Sequence, residues 1–184
     1  MPLPLSADQL RLISFGPRRD IIAVLANDTN LSARDIAGRL GRRVTALYRH
    51  LDLLTEAGLI RQSGTRPGPK RPEAVFALAA RSYLPSEAVY ATPEGRSALG
   101  QAAARYASAA ARRLSRAVES GAARPFTADA NVAFYNTDLQ LDRAGLVEFH
   151  KRLRAFLESV RDLRVPGDDG LDHITLTMMV TPTR

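Results

Sequence analysis

The sequence predicts an α+β fold that is mainly helical. Three observations support this prediction. Several segments within the first 60 residues combine a capping residue with apolar side chains at helical spacing. A later alternating stretch is interrupted by the Pro/Gly-rich run GTRPGPKRPE, which is typical of two strands joined by a turn. An Ala-rich stretch that follows Thr92 contains mostly helix-forming residues up to about Ser120.

Composition excludes several classes of protein. No apolar run is long enough to span a membrane, and the N-terminal stretch lacks the basic and then apolar pattern of a signal peptide. There is no cysteine, so disulfides, thiolate metal sites and cysteine nucleophiles are all excluded. We therefore expect a cytoplasmic protein.

The positive charge is concentrated in the first two thirds of the chain. Residues 1–80 hold 12 basic and 7 acidic side chains, and residues 81–124 hold 7 and 3. Residues 125–184 hold 7 basic and 9 acidic side chains, so their net charge is negative. A surplus of this kind can serve solubility alone, but it also favours a polyanionic partner for residues 1–124.

The first two helices are predicted from local signals. Ser6 and Gln9 have the spacing of a capping box, in which each side chain satisfies a free amide at the start of a helix. That helix is expected to reach about Ser14. A second helix is predicted from Pro17 to Asn27, because proline is well tolerated in a first helical turn.

The next two predicted helices are separated by a glycine. Ser32 and Asp35 form a second capping box, and Gly41 is suited to the left-handed conformation that ends a helix. Apolar residues then recur at helical spacing within the segment 44–57, and Gly58 is the expected stop. Two short helices joined by a tight turn are a helix-turn-helix.

A β-hairpin is predicted directly after this pair of helices. The first strand begins near Leu59, and AVFALA is the returning strand. The connecting tip is basic, since it carries Arg66, Lys70 and Arg71. A helix-turn-helix followed by a hairpin is a winged helix.

The second helix of the pair has an apolar face and a polar face, and this predicts DNA binding. Val44, Leu47, Leu51 and Leu54 would hold the helix to its support, leaving the other face free for a major groove. The expected DNA contacts on this helix and on the hairpin are Arg42, Arg43, Thr45, Ala46, Arg49, His50, Arg66, Lys70 and Arg71. Among them, Arg49 suits a guanine, Thr45 and Ala46 suit a thymine methyl group, and Arg42 and Arg43 suit flanking phosphates.

The segment LSARDIAGRLGRRVTALYRHLDLLTEAGLIRQSG, together with GPKRPEAVFAL, resembles the ArsR-like winged helix-turn-helix transcriptional regulators over roughly residues 17–80. This resemblance implies a homodimer that binds double-stranded DNA at a two-fold-related operator. The metal-sensing members of that group use cysteines beside the recognition helix or paired His/Asp sites. Neither pattern is evident in this sequence, so no metal site and no cofactor are predicted.

A long helix is predicted from Thr92 to about Ser120, with a narrow stripe of small and apolar residues. Such a seam is typical of a helix that packs against a partner. The predicted dimerisation residues are Leu99, Ala103, Tyr106, Ala110 and Leu114.

The last third of the chain predicts a small strand–helix–strand unit. A strand is expected over Val132–Leu141, a helix after Asp142, and a second strand in the alternating run HITLTMMVT. The predicted domains are therefore a winged helix-turn-helix domain over 1–82, a linker and dimerisation helix over 83–124, and a C-terminal α/β unit over 125–184. That unit is the expected place for a small-molecule or protein effector, or for further dimer contacts.

Two other functions were weighed against DNA binding. Winged helices also serve as protein–protein interaction modules, although Arg42, Arg43 and Arg49 favour DNA. An enzyme in the last third would need ionisable groups that converge in a pocket. The candidate group there is His150, Asp169, Asp172 and His173, and a solvated loop is the simpler interpretation of those residues. We therefore predict a regulator that is not an enzyme.

Overall fold

A computed structural model describes residues 2–68, 71–163 and 174–182. The chain divides into two compact units, Met1–Ala111 with Thr177–Arg184, and Arg112–Leu176. The regular elements that begin in the first unit are, in chain order, β1 (Leu3–Leu5), α1 (Ala7–Ile13), α2 (Gly16–Asn27), β2 (Leu31–Ser32), α3 (Ala33–Leu40), α4 (Tyr48–Glu56), β3 (Ile60–Arg66), β4 (Glu73–Leu78), β5 (Tyr83–Pro85), α5 (Glu87–Ala91) and α6 (Pro93–Glu119).

Both capping boxes predicted from the sequence are confirmed. The Ser6 hydroxyl accepts from the Gln9 amide at 3.2 Å, and the Gln9 side chain accepts from the Ser6 amide at 2.9 Å. Ser32 and Asp35 make the same reciprocal pair at the start of α3. Each box satisfies amides that would otherwise lack a partner in the first turn of its helix.

The turn between α3 and α4 depends on Gly41, whose φ of 60° lies in the left-handed region. The helix predicted from Val44 begins differently, because Val44–Ala46 form a short 3-10 turn and α4 starts at Tyr48. Arg43, at the N-cap of this turn, makes no side-chain capping bond. Tight turns of this kind are frequent where a helix begins.

The predicted hairpin is confirmed as the antiparallel pair β3–β4. Strand β2 pairs with the other edge of β4, so the sheet order is β2-β4-β3. One extra residue, Ser63, forms a bulge, because Gln62 pairs with Phe76 and Gly64 pairs with Val75. Strands β1 and β5 form a separate parallel pair.

The core of the first unit lies between its helices and the three-stranded sheet. The side chains that are most fully buried include Ile21, Leu25, Ile36, Leu47, Leu51, Leu54 and Leu59. They come from α2, α3, α4 and the segment before β3, so the two helices of the helix-turn-helix share one core. This packing, at about 25 cal/mol per Å² of apolar surface, is what holds α4 in place.

Helix α6 buries a row of small residues within the chain: Gly95, Ala98, Ala102 and Ala109. This row lies about a quarter of a turn from the seam predicted for dimerisation, on which Ala103 is exposed. Burial within one chain does not test which residues meet a second copy, so the dimerisation seam stays a prediction.

The second unit contains helix α7 (Arg143–Arg161), whose start is capped by Asp142 as predicted. The predicted strands over Val132–Leu141 and over the described part of HITLTMMVT, residues 174–181, do not form. In the described part of the chain, neither stretch pairs with another strand, and an unpaired strand leaves its backbone polar groups without partners. None of the helices in the described ranges is long and apolar enough to cross a membrane.

Candidate nucleic-acid interface

Helix α4 and the turn before it present a polar surface. Arg42, Arg43, Thr45, Ala46 and Arg49 are all exposed, while the apolar side of the helix is buried. Tyr48 is 53% exposed and so lies on the same outer surface. The structure thus brings together the residues that the sequence predicted for base and phosphate contact on this helix.

The C-terminal end of α4 is fixed by a contact from α1. The Gln9 amide group donates to the Ala57 carbonyl at 2.9 Å, so one side chain caps the start of α1 and the end of α4. Gly58 has a φ of 67°, and the Leu59 amide closes the helix by donating to the Leu54 carbonyl. These bonds define where the helix stops relative to the rest of the unit.

His50 lies in a group of side chains that we name the α2–α4 cluster: Phe15, Arg18, Arg42, Arg49 and His50. The His50 ring is 5.9 Å from the Phe15 ring, at an angle of 43°. Burial, and then repulsion from Arg18, Arg42 and Arg49, lowers the pKa of His50 below its ordinary value. The imidazole is therefore neutral at pH 7.

The three residues of the hairpin that were predicted to contact DNA differ in their surroundings. Arg66 binds the N-terminal end of α3, since it donates to Asp35 at 2.7 Å and to Ser32 at 3.1 Å, and it lies 3.9 Å from Glu73. Arg71 is exposed near the tip. Lys70 lies outside the described residues.

The bonds of Arg66 show a structural role that the sequence did not indicate. Burial alone would raise the pKa of Asp35, but hydrogen bonds from Arg66 and Ser32 outweigh it, and that pKa is lowered overall. Because Arg66 shares its charge with two carboxylates, it anchors the tip end of the hairpin to the start of α3.

The predicted dimerisation residues have mixed environments. Leu99 packs partly against the core of the first unit, and Tyr106 lies under Arg19, whose guanidinium is 5.8 Å from the ring centre. Burial raises the pKa of Tyr106. Ala103 is exposed, and Ala110 and Leu114 are half-buried. Tyr83 donates its hydroxyl to the Leu59 carbonyl, and Tyr90 is 55% exposed.

The candidate metal or catalytic group of the last third is only partly described. His150 is exposed on α7, and Asp169, Asp172 and His173 lie outside the described residues. Across the ranges that are described, no three His, Asp or Glu side chains come together as metal ligands would. An open groove of about 690 Å³ runs along α7 beside Leu146, His150 and Arg154.

Phe15 and Arg18 were missed by sequence analysis. Both lie at the start of α2, where the run FGPRRD shows two adjacent arginines but gives no indication that one of them approaches α4. Their contact with His50 and Arg49 depends on how the two helices cross, which is a property of the packed core.

Two solved structures are similar to this chain. RV1404 from Mycobacterium tuberculosis is 22% identical, with 79% of this chain and 73% of that chain covered and a TM-score of 0.30. The MarR family transcription regulator SP03579 is 17% identical, with coverages of 85% and 80% and a TM-score of 0.31.

No curated protein sequence matches the chain. Residues 17–63 match a family described as helix-turn-helix domain, and this range runs from the start of α2 into β3. The chain therefore contains a helix-turn-helix domain, which together with the β3–β4 hairpin is a winged helix.

Proposed function

We propose that this protein is a sequence-specific transcriptional regulator that binds DNA as a homodimer, within the ArsR-like group of winged helix proteins. The observation that carries the proposal is the division of α4 and the turn before it into two faces. Leu47, Leu51 and Leu54 are buried, so the helix is held rigidly, while Arg43 and Thr45 of the turn and Arg49 of α4 are exposed. A helix held in this way fits the major groove.

The charge of the chain supports a DNA partner. The formal net charge is +7, and the surplus of basic residues falls within residues 1–124. In the described part of the molecule, Arg43 and Arg49 make no ion pair with a carboxylate, so they are available to phosphates and bases. The loop between β3 and β4 adds an exposed Arg71, and the sequence adds Lys70 in the same loop.

The first experiment selects bound sequences from a random pool of DNA duplexes and then measures affinity for the winner at increasing salt. We expect a palindrome with half-sites about 10–10.5 base pairs apart, or a multiple of that distance. The logarithm of the affinity should fall with the logarithm of salt by about 0.9 for each phosphate contact. If affinity depends steeply on salt but no sequence is enriched, the protein binds DNA without sequence specificity. If it binds no DNA even at low salt, a protein–protein interaction module is favoured.

The homodimer has its own test on α6. Ala103 and Ala104 are both exposed, but only Ala103 lies on the predicted seam. Glutamate at position 103 would place two charges against each other across a two-fold interface, whereas glutamate at position 104 points elsewhere. Light scattering should show monomers for Ala103→Glu and dimers for Ala104→Glu; the same state for both variants would count against this seam.

A further inference from the structure

The guanidinium of Arg18 is fixed by two contacts at the start of α2. Its Nε donates to the Leu12 carbonyl at 2.7 Å, and its central carbon lies 4.6 Å above the centre of the Phe15 ring. Because Nε is engaged, the two terminal amino groups remain for another acceptor. Within the described residues, neither of them has a hydrogen-bonding partner.

Arg49 of α4 places a second positive charge next to Arg18. Burial, and then repulsion from Arg49, lowers the pKa of Arg18. Neither arginine forms an ion pair with a carboxylate in the described part of the chain. Two cations that the fold holds together without a counter-charge favour an anion between them.

His50 completes the lining of this position. Its Nδ1 is buried and has no hydrogen-bonding partner among the described residues. Nε2 is not buried in this way, so it is the ring nitrogen that can reach a ligand. The nearby carboxylate of Asp20 lies 3.6 Å from Arg42, and it also accepts from Arg19.

We propose that Arg18 and Arg49, with His50 beside them, bind one phosphate of the DNA backbone. This inference rests on the proposed function and extends the DNA surface from α4 onto α2. A phosphodiester offers two free oxygens and one negative charge, which suits two guanidinium groups and one N–H donor. Phe15 holds both Arg18 and His50 in place, and Arg49 contacts the backbone instead of the guanine expected from sequence.

The test compares Arg18→Gln and Arg49→Gln with Arg81→Gln on the selected duplex. Arg81 is an exposed arginine between β4 and β5, so its variant removes the same charge away from the cluster. Each cluster variant should bind about tenfold more weakly on every sequence, since a charge-assisted bond is lost. Each should also reduce the salt slope by at most about 0.9, the value for the one phosphate that the two arginines share, and the control should leave the slope nearly unchanged.

Two further measurements distinguish loss of the phosphate contact from misfolding and from binding of a different anion. Neutral methylphosphonates are introduced one at a time into the duplex: at one position in each half-site, the loss of affinity should be clearly smaller for Arg18→Gln than for the wild type, while at the other positions the two proteins should lose affinity equally. If Arg18→Gln does not fold, Arg18→Lys keeps the charge without the planar fork and should show part of the loss. Inorganic phosphate that binds the cluster while DNA affinity does not depend on Arg18 would overturn the assignment to DNA.

The outcomes separate this inference from the proposed function. If the wild-type protein selects an operator but Arg18→Gln and Arg81→Gln have the same affinity and salt slope, only the phosphate site is contradicted. If Arg49→Gln relaxes specificity at one base pair and leaves the salt slope unchanged, Arg49 contacts a base and not the phosphate. Wild-type protein that binds no DNA would instead contradict the proposed function itself.

Discussion

Gly95 marks the closest approach between α5 and α6, and its replacement should be costly. A Cβ atom at Gly95 would lie 2.3 Å from the Val89 carbonyl oxygen and 2.7 Å from its Cα. Both are backbone atoms, so no side-chain rotation can relieve the overlap. Gly95 also donates its amide to the Thr92 hydroxyl at 3.1 Å, and a shift of α5 away from α6 would disturb that cap.

We expect Gly95→Ala to lower the free energy of unfolding by about 3 kcal/mol, the upper end of the usual cost of overpacking. For a domain of this size, that corresponds to roughly 10–20 °C in melting temperature. Gly100 lies in the same helix with no atom within 4 Å of an added Cβ, so Gly100→Ala should gain about 0.5–1 kcal/mol from helix propensity. Urea denaturation of both variants measures the difference, and equal effects would refute the reasoning.

Three further predictions concern contacts described above. Gln9→Glu keeps an acceptor for the start of α1, but it loses the donor to Ala57 and adds a negative charge at the end of α4. Urea denaturation should therefore show a free energy of unfolding lower by about 1 kcal/mol, and a variant as stable as the wild type would contradict this capping role. The pKa of His50 is lowered in the folded state, so below pH 6.5 the unfolded chain binds more protons and stability falls as the pH decreases. Thermal melting between pH 5 and 8 should show a weaker decline for His50→Gln, and an unchanged decline would exclude His50 as its source. The pKa of Asp35 lies below its ordinary value, so its stabilisation is present above pH 3.8 and is lost as the pH falls through the folded pKa. Arg66→Gln should raise that pKa, as followed by NMR titration of the carboxyl group, whereas an unchanged pKa would mean that Arg66 is not the dominant partner.

The local signals of the winged helix could be predicted because they act within a few residues. Ser6, Ser32 and Asp142 each cap the helix that the sequence assigned to them. Gly41 and Gly121 end helices with positive φ, as glycine without a Cβ does readily. In each case, the bond or the backbone angle depends on neighbours in the chain, so tertiary contacts were not needed to find it.

The strands of the last third could not be predicted in this way. Alternation of apolar and polar residues indicates that a strand would have two different faces, but it does not show that another strand is present to pair with it. Leu139 and Leu176 are 56% and 50% exposed in the structure. Without backbone partners, the alternating pattern alone did not produce a strand.

The partners of single arginines were also beyond the sequence. Arg66 and Asp35 are 31 residues apart and meet only because the hairpin folds back over α3. Arg18 comes within electrostatic range of Arg49 only because α2 packs against α4. Arg66 was predicted to contact DNA because it lies near a basic loop, and Arg18 was not predicted because nothing nearby in the sequence marks its neighbour on α4. Long-range placement of charge is therefore the part of the candidate site that required a structure.

The bulge at Ser63 lets β3 hold one extra residue without a change of register. Paired residues of two antiparallel strands lie on the same face of the sheet, so Arg66 shares the face of Glu73 whether or not Ser63 is present. Loss of Ser63 would leave the pairs from Gly64 to Arg66 as they are, and Arg66 would still reach Asp35. Among relatives of this protein, a single-residue gap at Ser63 should therefore be compatible with an arginine and an aspartate at the positions of Arg66 and Asp35.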